Sequence, residues 1–184
     1  MQILHPTVDG YLSDRDLIRY GGKHSWLYQL RHDGTGSVRI PYLYGIRHFD
    51  EGRRDVAGEM PFVSFELLKN GLILRWNCNQ RIRCVGVQLS SIERIELTGH
   101  QILFQNRYWQ EAAFHYGKLT FTVSGEEPII FEVVSREFSK IKSYFEKEVF
   151  RNKTILKLEK PTEIRQLATS NYEHLRFLIE QMMS

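Results

Sequence analysis

Seven histidines and two cysteines are the side chains of this 184-residue chain best suited to metal or nucleophilic chemistry. Their spacing does not supply it. There is no HxH, HExxH or Cys-x-x-Cys, the spacings that bring two ligands together on one local element. His48-Phe49-Asp50-Glu51 is the densest potential ligand group, with His48 and Asp50 on one face of an extended chain. It falls in a polar stretch that reads as an exposed loop. Cys78 and Cys84 could combine with His100 or His115 as a zinc site or nucleophile pair, but the first reads as a turn residue and the second as core. No glycine-rich phosphate loop precedes a helix, and no GxSxG nucleophile elbow occurs. The sequence therefore assigns no catalytic residue, no metal and no cofactor. What remains is basic: Lys69, Arg75, Arg81 and Arg83, four cations within one pair of hairpins, with the chemistry of a shallow anion site.

Two turns position those four. FVSFELLKNGLILRW contains Asn70-Gly71, the preferred pair for a two-residue type I′ hairpin turn. That register predicts Lys69 opposite Leu72, Leu67 opposite Leu74 and Phe65 opposite Trp76. Val63, Phe65, Leu67, Leu72, Leu74 and Trp76 then share a core face, and Glu66 meets Arg75 on the other. At Asn77-Cys78-Asn79, a three-residue loop with Asn79 left-handed keeps arginine away from Trp76 by setting Gln80 opposite it and Ile82 opposite Leu74. Arg75 then faces Arg81, and Glu66, Arg75 and Arg81 form an outer row with Arg83 nearby. The row reads either as a solvated ion-pair ladder or as an anion site. Leu68 and Ile73 on that outer face need cover, which residues 1–60 could supply.

The flanking sequence divides at 60/61 and 150/151. In residues 1–60, Ser13-Asp14-Arg15-Asp16 resembles a capping box opening a short helix that Gly21-Gly22 stops. Trp26, Tyr28 and Leu30 alternate with polar residues, as do Val38, Ile40, Tyr42 and Tyr44 after the DGTG turn, so a β-hairpin is expected. Pro41 makes its second strand an edge or bulged strand. HFDEGRRDVAGEMP reads as an exposed loop. Beyond the central hairpins come a bend at Gly86, a short strand in LSSIERIELTG, a partly extended QILFQNRYWQEAAFHYG, and two strands around SGEEP. A helix follows, with Phe138, Ile141, Phe145 and Val149 on one stripe. Residues 151–184 add ILKL, a candidate strand, and a second capping box at Ser170-Asn171-Tyr172-Glu173 before an amphipathic helix bearing Leu175, Leu178, Ile179 and Met182.

A hydrophobic share of 42% and a charged share of 26% place the chain among globular proteins rather than disordered ones. The net charge of +3 is too small to imply nucleic acid, and it is not concentrated: residues 1–60 hold eight basic and eight acidic side chains, residues 61–150 eleven and ten. Arg107-Tyr108-Trp109 and the aromatics near Arg39 and Arg47 could stack bases, yet in strands such side chains serve as packing. No run approaches the ~18 apolar residues of a membrane span. The N-terminus lacks a signal-peptide pattern, so reduced thiols and a cytoplasmic location are expected.

GLILRW in the second strand, SSIERIEL after the third, and FEVV before a helix ending IKSYF resemble the pleckstrin-homology-like domains of bacterial type, over about residues 62–150. The resemblance implies an α+β fold: a small, bent, nearly closed antiparallel β-barrel or sandwich of about seven strands, capped by its C-terminal helix. Here that core carries a β-rich N-terminal extension and an extra C-terminal helix. It also implies a non-enzymatic module that binds lipids, peptides or other subunits. Inositide-binding members carry a basic residue ending the first strand and an Arg-x-Arg or Lys-x-Arg pair in the second. Lys69 and Arg75 match two of those positions, while Asn77 occupies the third. The expectation is a protein-interaction or self-assembly module whose partner is a protein or a second copy. The alternatives are a peripheral module binding anionic lipid or phosphorylated ligands through the arginine row, and an enzyme with its site between extension and core.

Overall fold

The computed structural model describes residues 1–32, 34–56, 59–78, 80–106, 109–159 and 162–164. Strand β1 (Gln2–Leu4) precedes helices α1 (Asp14–Arg19) and α2 (Trp26–Arg31), strand β2 (Ile40–Tyr44) and helix α3 (Arg47–Arg54). Strands β3 (Phe62–Leu67), β4 (Gly71–Cys78), β5 (Arg81–Gln88), β6 (Ile92–Asn106), β7 (Trp109–Val123) and β8 (Ile129–Val133) follow. Helix α4 (Ser135–Phe145) leads to strands β9 (Thr154–Leu158) and β10 (Thr162–Ile164). The strands build one mixed, open sheet in the order β1-β5-β4-β3-β2-β8-β7-β6-β10, with β9 also on β6.

The seven strands β2 to β8 form an antiparallel path whose two ends, β5 and β6, are not joined. Each end is covered instead by a strand from outside the path. β1 pairs antiparallel with β5, while β9 and β10 pair parallel with β6. Exposed sheet edges invite pairing with other chains, so the terminal strands shorten that liability.

β2 is the corner. Ile40 and Pro41 pair with β3, whereas Tyr42 and Tyr44 pair with β8 across a register shift. Pro41, lacking an N–H, pairs with Phe62 just before the strand changes partner; of the expected edge or bulged strand, β2 is the bulged one, with its register shift between Tyr42 and Tyr44. The sheet curls about this corner. Phe65 on β3 and Phe121 on β7 are three strand spacings apart along the sheet, about 14 Å if it were flat. Their rings nevertheless stack with centroids 5.5 Å apart. Phe138, Ile141, Tyr144 and Phe145 of α4 are buried against this interior, joined by Phe150. Val149, expected on the same stripe, is exposed.

Several expectations are corrected. The predicted strand at Trp26, Tyr28 and Leu30 is helix α2, capped by Ser25, whose Oγ accepts from the Tyr28 N–H at 3.3 Å. WLYQLR has no β-branched residue, and His24, Tyr28 and His32 stack at helical spacing with centroids 3.8 and 4.2 Å apart. The N-terminal hairpin accordingly does not form. The predicted loop after Ile46 holds α3, anchored by fully buried Phe49 and by the Tyr42 hydroxyl, which donates to Asp50 at 2.8 Å. QILFQNRYWQEAAFHYG is strand on both sides of residues 107 and 108. α1 forms as expected, with Ser13 accepting from the Asp16 N–H at 3.1 Å, and ILKL lies in β9. The amphipathic segment after Ser170 lies outside the described residues.

A second, smaller cluster lies on the far face of β3–β5: Leu4, Leu17, Tyr20, Leu68, Ile73 and Cys84, with Leu12 and Ile82 against it. Residues 1–20 thus cover Leu68 and Ile73. Tyr20 lies flat across Gly71 and Gly86. A Cβ at either position would fall 2.3 Å from its ring atoms.

Candidate functional site

The two turns decide where the four predicted cations go. β3 and β4 pair with Leu67 opposite Leu72, Phe65 opposite Leu74 and Val63 opposite Trp76. The chain therefore turns at Lys69-Asn70, one residue before the predicted pair. That displaces the register by two, so each side chain keeps its predicted face. The earlier turn is fixed by the extension: the Asn70 N–H donates to the Tyr20 carbonyl at 2.8 Å and the Lys69 N–H to the Gly22 carbonyl at 3.2 Å.

The second turn departs by an odd number. Cys78 pairs with Arg81, Trp76 with Arg83, Leu74 with Val85 and Arg75 with Cys84. Asn79 lies outside the described residues, and the left-handed residue beside it is Gln80, at φ 62°. An odd displacement moves every side chain of β5 to the other face. Ile82 joins the small cluster while Trp76 stays in the main core. The outer arginine row therefore does not form.

Each cation has its own setting. Arg75, on the far face, donates to Glu66 Oε2 from Nε at 3.0 Å and Nη2 at 2.6 Å, and to the Gly10 carbonyl at 2.6 Å. It ties the N-terminal segment to the sheet. Arg83, on the opposite face, lies 5.9 Å above the Trp76 ring. It donates to the His48 carbonyl at 2.7 Å and to Asp55 at 3.2 Å, fastening the region of α3 to β5. Arg81 reaches Asp55 at 3.8 Å from solvent. Lys69 is exposed on the β3–β4 turn. The structure joins Arg81 and Arg83 through Asp55 and separates both from Arg75.

No group of three or more metal-ligating side chains is present among the described residues. Cys78 and Cys84 lie on opposite faces of the sheet, in the main and small clusters respectively. Burial pushes the Cys84 thiol up to about 11, with Arg75 opposing. It also raises that of Cys78, helped by a hydrogen bond to Glu59. Neither is poised as a nucleophile. An open cleft of about 680 Å³ runs between the chain after α2 and α4, lined by Arg31, His32, Ser37, Ser139, Lys140 and Lys147 among others. No helix among the described residues is long and apolar enough to cross a membrane.

α2 carries the feature that sequence reading missed. None of its residues is fully buried, and Trp26, Leu27 and Leu30 are 67%, 55% and 69% exposed. At i, i+1 and i+4 they form one helical surface. The inner side carries partly buried Tyr28, between His24 and His32, and partly buried Gln29, which donates to the His24 carbonyl at 3.1 Å. Gly21 and Gly22 precede the helix and Gly34 follows it, all with positive φ. No family model, no curated protein and no solved structure matches the chain. From Leu17 to His32 the sequence contains Arg19, Lys23 and Arg31 but no carboxylate. The signal for a helix was available: Ser25 before six residues free of Gly, Pro and β-branched side chains.

Proposed function

We propose that this chain is a non-catalytic protein-interaction module in which α2 is the recognition element. The observation that carries the reading is the outward presentation of Trp26, Leu27 and Leu30 by a helix that buries nothing fully of its own. Isolated exposed apolar residues are ordinary, whereas a tryptophan with two leucines on one short helix is an interface composition. Charge selects the kind of partner. Two α2 helices packed antiparallel would set Lys23 of each near Arg31 of the other, and the stretch from Leu17 to His32 supplies no carboxylate of its own, Asp33 following it. A segment carrying apolar anchors flanked by Asp or Glu fits better than a second copy.

The core is of pleckstrin-homology-like type in this reading. Its support is the antiparallel run of seven strands, β2 to β8, curled around one interior and followed directly by a helix that seals it. The core then begins at Ile40 rather than Phe62.

Peptide display on the purified chain tests the proposal. Enriched peptides should combine apolar anchors with carboxylates, and Trp26→Ala should weaken them about thirty-fold, the ~2 kcal/mol of an interface hot spot. Thermal unfolding should stay unchanged. Equal enrichment on Leu27→Asp/Leu30→Asp protein would refute it. Salt-sensitive pelleting with phosphatidylglycerol vesicles, abolished by the same pair, would replace the protein partner with an anionic lipid surface.

A further inference from the structure

Two imidazoles flank Tyr28 on the inner side of α2, which bears on how the surface just described is controlled. His24, immediately before the Ser25 cap, stacks on Tyr28 at 3.8 Å and 14° between planes, and Tyr28 stacks in turn on His32. Nε2 of His24 is buried and has no hydrogen-bond partner. A neutral imidazole tolerates that, because an unprotonated ring nitrogen is a weak acceptor that loses little when left alone. A protonated ring does not: Nε2–H becomes a buried donor with nothing to accept it, and the ring carries a full charge.

The groups around it are hostile to that charge. Lys69 approaches from the β3–β4 turn, Lys147 from the chain just after α4, and His32 from the C-cap of α2; a hydrogen bond to the Leu68 backbone acts in the other direction. Glu148 bears on Tyr28 rather than on His24. Burial, ahead of these charges, holds the His24 pKa below its ordinary value.

We infer that α2 is a proton-gated element: protonation of His24 drives its buried Nε2 edge toward water, pulls the ring off Tyr28 and releases Trp26, Leu27 and Leu30 from their fixed presentation. The inference rests on α2 being the recognition element, and it assigns that surface its regulation. The sign follows from linkage. A base whose pKa is lower when docked contributes docking strength fully above its free value, about 6.5. That strength falls by up to about tenfold per pH unit below it, until the docked value is reached. The Gly22 carbonyl accepts from the Lys69 N–H at 3.2 Å and the Gly34 carbonyl from Lys147 Nζ at 2.8 Å, so release of α2 parts these two bonds as well.

Hydrogen exchange of the full chain, corrected for intrinsic rates, reads this without any partner. Between pH 7.5 and 5.5 the Gln29 and His32 amides, bonded to the Ser25 and Tyr28 carbonyls, should lose protection by up to about tenfold while Phe65 and Leu74 amides keep theirs. In His24→Gln, which retains a donor but does not titrate in this range, and in His24→Phe, which retains the stack, that pH dependence should vanish. Unchanged protection in the wild type, or the same loss in both variants, overturns the inference. Either result leaves the peptide-binding test standing, and a failure of peptide binding leaves the exchange result interpretable.

Discussion

Replacing Gly86 with alanine tests whether the N-terminal segment is packed on the sheet as described. The added Cβ would lie 2.3 Å from Cζ and Oη of Tyr20 and 2.6 Å from Cε2. Tyr20 is buried to 2% exposure, and its carbonyl accepts from the Asn70 amide at 2.8 Å, so the ring cannot withdraw without dismantling the turn. Overpacking of this kind costs about 1–3 kcal/mol. Tyr20→Ala removes a buried ring and costs about 3–5 kcal/mol by analogy with other large aromatics. In the Tyr20→Ala background the clash has gone, and Gly86→Ala should be neutral or gain about 0.5 kcal/mol by relieving glycine's unfolded-state entropy. The two substitutions should therefore be strongly non-additive, the double variant being about 1–3.5 kcal/mol more stable than the sum of the singles predicts. Urea unfolding followed by far-ultraviolet circular dichroism measures it, with constant m values as the check on two-state behaviour. Additivity within about 0.5 kcal/mol would mean that Tyr20 does not rest on Gly86.

Two further outcomes follow from the same packing. Arg83→Met should destabilise the chain by about 1–3 kcal/mol, since it keeps an apolar stem over Trp76 but leaves the His48 carbonyl without its donor and Asp55 with only the more distant Arg81; Arg81→Met, exposed and 3.8 Å from Asp55, should cost under about 1 kcal/mol in the same urea titration. Cys84, with its thiol pushed up to about 11, should resist Ellman's reagent at pH 8 until the small cluster opens, so that Tyr20→Ala accelerates labelling at least tenfold.

How far the sequence could be read depended on whether parity or register was at stake. The faces of β3 and β4 were legible because Val63, Phe65, Leu67, Leu72, Leu74 and Trp76 alternate cleanly, and an even slip leaves them in place. β5 was not, because Arg81 and Arg83 imitate an outward-facing pair. Their partners are Asp55 and, for Arg83, the His48 carbonyl, which a loop reading of residues 48–61 could not place. α2 was hidden by an accidental alternation, Trp26-Leu27-Tyr28-Gln29-Leu30, that fits a strand as readily as a short helix whose apolar residues face outward. The predicted anion site shared the fate of the register: Arg75 belongs to one face, Arg81 and Arg83 to the other, and Lys69 to the turn.

The most direct measurement is nuclear magnetic resonance of ¹⁵N-labelled protein titrated with an acidic, apolar-anchored peptide selected by display. Recognition through α2 predicts amide shifts concentrated in residues 23–32, abolished by Leu27→Asp/Leu30→Asp while the spectrum of the sheet stays unchanged. Shifts centred instead on Arg81 and Arg83, or on β9, with α2 unmoved, would contradict it.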